Sequence, residues 1–162
     1  MDHYKLENVI AVAAEVVFTA SRMCGENGKK GGCLCVTDYE GNLHLVTIIG
    51  EVSDKGKLRK YWGMCQEKAN RLVSRASHES SWQSRDESSQ QYGGAIRARE
   101  FILSFSGLPE LWNEACMLAL AYKVHNRLIS KESLQRIQMI NHNLRAWSII
   151  NATMDESEKM RA

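Results

Sequence analysis

Several side chains in this sequence have types and spacings that could do chemistry. Cys33-Leu34-Cys35 sets two thiols two residues apart, which on a β-strand places both on one side. Two thiolates hold zinc when a second pair of ligands comes near, but no further Cys-x-x-Cys or histidine pair follows. These two, with Cys24, Cys65 and Cys116, therefore read as small buried hydrophobes. Ser104 and Ser106 precede Gly107 at a helix start, without the Gly-x-Ser-x-Gly elbow and with no histidine close in sequence, so acyl transfer gains little support. The same start, at Gly107-Leu108, offers backbone N–H groups to an anion. Arg97 and Arg99, just before it, could add charge, so a small molecule bearing a carboxylate or phosphate suits the place. Between Lys55 and Arg75 the basic residues Lys57, Arg59, Lys60, Lys68 and Arg71 oppose a single acid, Glu67. Such a face could meet an acidic partner, nucleic acid included, yet a solvated helix face explains it as well.

The elements that must position these residues follow from periodicity. Leu6, Val9, Ile10, Ala13, Val16, Val17 and Ala20 form one apolar stripe, predicting a helix from about Leu6 to Cys24 that ends at Gly25. Glu26 to Gly32 reads as a flexible connector. Cys33–Thr37 and Leu43–Ile49 are short apolar runs joined through Gly41, which predicts an antiparallel hairpin covered in places on both faces. Lys57 to about Ala76 reads as a second helix, and the serine-rich Ser77–Gln91 as a long exposed loop. Gly93 to Ile96 opens a third strand, Arg97 to Glu100 interrupts it, and Phe101 to Ser106 is a fourth. Pro109 and Glu110 start a helix that runs to about Leu128. Ser130 caps a last helix carrying Leu134, Ile137, Ile140, Leu144, Trp147 and Ile150 to Ile150, and Met154 to Ala162 is a polar tail.

Strands arriving in antiparallel pairs between helices predict an α+β fold. The length of 162 residues suits one core, and 44% hydrophobic with 25% charged residues excludes disordered and fibrous classes. No apolar run is long enough to span a membrane. The N-terminus lacks the order of a signal peptide and the five cysteines are odd in number, so a cytoplasmic protein with reduced thiols is expected. A net charge of +2 gives no bulk argument for nucleic acid.

The order of elements resembles the GlcG/HbpS-like family, which includes the C-terminal domain of PduO-type corrinoid adenosyltransferases. Asp38, Gly41 and Leu43 match its first hairpin, Lys68-Ala69 its following helix, and Gly94-Ala95-Ile96 and Ser106-Gly107-Leu108-Pro109-Glu110 its second hairpin and helix start. The likeness spans roughly Leu6 to Leu128. Ser77–Gln91 replaces the family's glycine-rich segment, and Asn42 stands where a histidine often follows the turn glycine. The resemblance implies a profilin-like sandwich over residues 1–130, an added C-terminal helix and tail over 131–162, and a homo-oligomer. It also implies a non-catalytic small-molecule-binding function, with haem the most specific suggestion. The cofactor-binding residues would then be His44 as axial ligand, with Lys68, Arg97, Arg99 and Gly107. The alternative reading is an oligomeric interaction module that uses the last helix and the basic helix face, with the terminal stripe buried either against a second subunit or against its own body.

Overall fold

The computed structural model describes residues 1–25 and 29–154. In chain order it comprises α1 (His3–Cys24), β1 (Lys30–Asp38), β2 (Leu43–Glu51), α2 (Lys55–Val73), β3 (Ala95–Ala98), β4 (Phe101–Ser106), α3 (Glu110–Lys123), α4 (Lys131–Gln138) and α5 (Arg145–Thr153). The four strands form one antiparallel sheet in the order β2-β1-β4-β3, so the two hairpins meet through their inner strands. The fold is α+β.

Strand alternation divides the sheet's side chains between two cores. Leu34, Val36, Ile96, Leu103 and Phe105 face α1 and α3. Cys33, Cys35, Ala95 and Ile102 face α2 through Cys65, Ala69 and Leu72. β1 is covered on both sides, as its unbroken apolar run predicts, whereas β2 is an edge strand and only partly covered. The first hairpin turns as expected. Gly41 takes φ 88°, and the Asp38 carboxylate accepts from the backbone N–H of Glu40 and Asn42, both at 2.9 Å. α1 is capped by the Asp2 side chain and closed by Gly25 at φ 65°.

Four expectations need correction. First, Ser77–Gln91 is built rather than an open loop. It contains two short 3-10 helices, Ser81–Ser84 and Glu87–Ser89, and a bridge between Ser80 and Ile96. Ser80 and Ser81 are fully buried. Second, Arg97 lies inside β3. The turn is only Arg99-Glu100, with Arg99 at φ 52°. Third, α3 stops at Lys123 rather than near Leu128, because Val124 turns to extended backbone. Fourth, the terminal helix is two helices. His142 takes φ 53°, and the Asn143 side chain reaches across to donate to the Leu111 carbonyl at 2.7 Å. Smaller shifts place the start of β1 at Lys30 and of α2 at Lys55. The rest of the expected connector, residues 26–28, and the tail beyond Met154 lie outside the described residues.

The terminal stripe packs on its own body. Leu134, Ile137 and Ile150 are buried in the same core as α1 and α3, and Ile140 and Trp147 pack against it half-buried. Each such burial is worth about 1.5–3 kcal/mol. Residues 131–154 thus share their core with the preceding domain, and of the stripe's large apolar side chains Leu144 stays exposed. Among the described residues no helix is long and apolar enough to cross a membrane.

The join between the hairpins depends on glycine. A Cβ on Gly107 would stand 2.3 Å from the Gly31 carbonyl oxygen and 2.5 Å from the Gly32 Cα. Neither neighbour is a side chain that can swing away. Gly107→Ala should therefore lower unfolding stability by about 2–4 kcal/mol in urea titration. An unchanged midpoint would mean that β1 and the end of β4 do not approach this closely.

Candidate functional site

The five residues singled out from sequence do not converge. Lys68 is on the buried side of α2, and its Nζ donates to the Phe105 carbonyl at 2.8 Å. Burial lowers its pKa to about 8, against the opposing pull of Cys65 and Glu110. Gly94 makes room for it, since a Cβ there would lie 2.7 Å from Nζ. One turn on, Arg71 is also buried. Its guanidinium pairs with Glu67 and donates to the carbonyls of Ser81, Ser84 and Tyr92, which pins the serine-rich segment to α2. These two side chains fasten structure and open into no described cleft.

His44 has both ring nitrogens engaged. Nε2 lies 3.1 Å from the Asp38 carboxylate, Nδ1 lies 2.9 Å from the Met1 nitrogen, and the ring packs edge-on to Phe101. Desolvation raises the pKa of Asp38, but hydrogen bonds from His44, Asn42 and Glu40 outweigh it and bring the carboxyl to about 2. An axial haem ligand needs a free imidazole nitrogen, so the His44 surroundings do not fit that group.

Arg97 and Arg99 do share a cleft. It holds about 320 Å³ and is lined also by Tyr39, Glu79, Ser130 and Arg136. Two of its three arginines are committed to partners within the fold. Arg97 donates to the carbonyls of His78, Leu72 and Arg75 and stacks on Tyr39, while Arg136 pairs with Glu79. Gly107 lies elsewhere, against Gly31 and Gly32.

A larger cleft lies where α3 ends. Val124 N donates to the Leu120 carbonyl as the helix closes, and Leu128 N donates to the Ala121 carbonyl at 2.8 Å. The loop is held against α1: His125 N donates to the Asn8 side chain at 2.8 Å, and Lys5 Nζ donates to the carbonyls of His125 and Asn126. Leu128 and Ile129 anchor its far end in the core. α5 lies alongside and presents Trp147, Ile150 and Asn151, one helical turn of a single face. Between them is a cleft of about 700 Å³, within the usual range for a small-molecule site.

The lining of this cleft is cationic and aromatic. Tyr122 and Trp147 meet edge to face with ring centres 5.2 Å apart. The Arg127 guanidinium sits over the Tyr122 ring at 3.8 Å, and the Lys131 ammonium over Trp147 at 5.8 Å. Lys123 is committed, donating to the Thr153 carbonyl at 2.6 Å and pairing with Glu15. Arg127 and Lys131 have no carboxylate partner among the described residues, and no acidic side chain lines the cleft there. An anion entering would gain charge-assisted hydrogen bonds from two cations already held against rings. The arrangement is suited to recognition, because it displays charge and flat apolar surface rather than a nucleophile hydrogen-bonded to a base. Among the described residues no group of histidine, cysteine or acidic side chains is placed to hold a metal ion.

The sequence analysis gives Tyr122, Arg127, Lys131 and Trp147 no binding role, and His125 in the same cleft is exposed. The available signal was the basic run Lys123-Val-His-Asn-Arg127 between two helices, followed by Lys131. No known family model matches the chain, and no curated protein matches it.

Lys68 supplies a test of the buried side of α2. Its pKa is lower folded than unfolded, so the stability it contributes is present above pH 10.5 and is lost as pH falls through about 8. Wild type should gain about 3 kcal/mol between those pH values relative to Lys68→Met. Parallel urea curves for the two proteins across that range would show that Lys68 is not desolvated.

Proposed function

We propose that this chain is a non-catalytic small-molecule-binding protein whose ligand is an organic anion with a flat, apolar body. The observation that carries the reading is the α3–α5 cleft, where two ring-stacked cations, Arg127 and Lys131, border about 700 Å³ of partly aromatic space. The anionic group pairs with the cations, and the body lies against Tyr122, Trp147 and Ile150. Haem, a flat dianion, is the member of this class to which the family resemblance points. Its propionates would meet Arg127 and Lys131, and His44 would take no part. All five cysteines are unpaired, which supports a reducing, cytoplasmic setting.

The oligomeric reading loses its main motive, because the terminal apolar stripe is covered by the chain's own core.

The test uses 1-naphthyl phosphate as probe and 1-naphthol as its neutral counterpart in equilibrium titration. The phosphate should bind saturably at one site, and 1-naphthol at least tenfold more weakly. Replacing both Arg127 and Lys131 with alanine should cost the phosphate tenfold or more, about 1.4 kcal/mol or greater. Equal affinity of the double variant would defeat the reading. Haemin titration followed by absorbance is the second arm. A Soret change should survive His44→Ala and disappear in the double variant. No change in the wild type would remove haem from the class.

A further inference from the structure

The opposite face of the sheet holds a cluster of nucleophilic side chains that the binding cleft does not use. Cys33 and Cys35 both point from β1 toward α2, and Cys65 meets them from that helix. All three are fully buried. Cys65 Sγ lies 3.0 Å from Cys33 Sγ and also contacts the Trp62 carbonyl one turn back at 3.3 Å. The two sulfurs are within about 1 Å of bonding distance, so a small side-chain movement closes the gap. The elements they would join are neighbours through much of their length, so the bond needs no rearrangement of the fold.

We propose that Cys33 and Cys65 form a reversible disulfide that ties α2 to β1 when a peroxide is present. One thiolate attacks the O–O bond and becomes a sulfenic acid, releasing hydroxide. The second thiol displaces the sulfenic oxygen as water and forms the S–S bond. Two thiols and one hydrogen peroxide give one disulfide and two waters. The sulfurs lose two electrons, and the peroxide oxygens gain them. A dithiol returns the pair to thiols by exchange. The hydrogen bond from Cys65 favours the Cys35 thiolate, although burial opposes this, while contacts with Cys33 and Cys35 and burial push the Cys65 thiol up, so Cys65 enters as the second thiol rather than the attacking one. Cys35 is the competing partner, but the 3.0 Å contact belongs to Cys33. Cys116 is buried in the other core, apart from this cluster. A transient, peroxide-formed bond is the kind of disulfide a reducing compartment allows.

The test oxidises the folded full chain with hydrogen peroxide, alkylates the remaining thiols in denaturant and maps the peptides. The expected result is a loss of two free thiols and a Cys33–Cys65 cross-linked peptide. The urea midpoint should rise, and dithiothreitol should reverse both changes. Cys35→Ala should keep the cross-link and Cys33→Ala should lose it. If Cys33→Ala does not fold, the wild-type peptide map still decides. A Cys35–Cys65 cross-link, sulfinic acid without any cross-link, or a cross-link formed only in protein oxidised while unfolded would each overturn the proposal.

Discussion

Helix α3 is enclosed over most of its length: every residue from Asn113 to Ala121 is buried. A helix with no solvent face must be covered all round, and each polar group along it must find a partner inside. The sheet covers one side, α1 a second, and α4 and α5 the remainder. The two polar residues in the stretch then dictate local structure. Asn113 accepts from Leu108 N at 2.9 Å and shapes the helix entrance. Glu114 accepts from the Ser80 hydroxyl and the Asn141 side-chain amide, although burial still pushes its carboxyl up. Those contacts draw two distant segments onto one helix: the serine-rich stretch before β3 and the break between α4 and α5.

The same enclosure bears on where the cleft lies. Only the two ends of α3, residues 110–112 and 122–123, are partly exposed, and the cleft begins at the second. Arginines mark the contrast between framework and site. Arg71 and Arg97 spend their guanidinium groups on backbone carbonyls, with Glu67 added for Arg71 and a ring face for Arg97. Arg127 rests on an aromatic ring with its outer donors uncommitted to any described carboxylate. The first pair holds the second core and the loop together, and the third borders the cleft.

Much of the fold was legible because its signals are local. The α1 stripe with Gly25, the Gly41 turn, the two hairpins and the Ser130 cap all follow from short-range spacing and backbone preference. The larger misses share one cause, contacts between residues far apart in sequence. Ile137, Ile140, Leu144 and Trp147 keep helical spacing straight through the α4–α5 break, which is held open by Asn141 and Asn143 bonding back to α3. The serines of 77–91 look solvated by composition, and their order comes from Arg71, which reads as part of a basic surface until α2 is docked. The cleft was hidden for the same reason. Its cations lie between Tyr122 and Lys131 and its second aromatic is Trp147, and only the packing of α3 on α5 brings them together.

Four tryptophans, of which only Trp147 lines the cleft, give the central claim a direct readout. Titration of 15N-labelled protein with 1-naphthyl phosphate can be followed at the four indole N–H signals and the backbone amides. The account predicts saturable shifts at the Trp147 indole and at the amides of residues 122–131 and 147–151, with the indoles of Trp62, Trp82 and Trp112 unmoved. Shifts centred on any of those three indoles, or none at Trp147 at saturation, would contradict it.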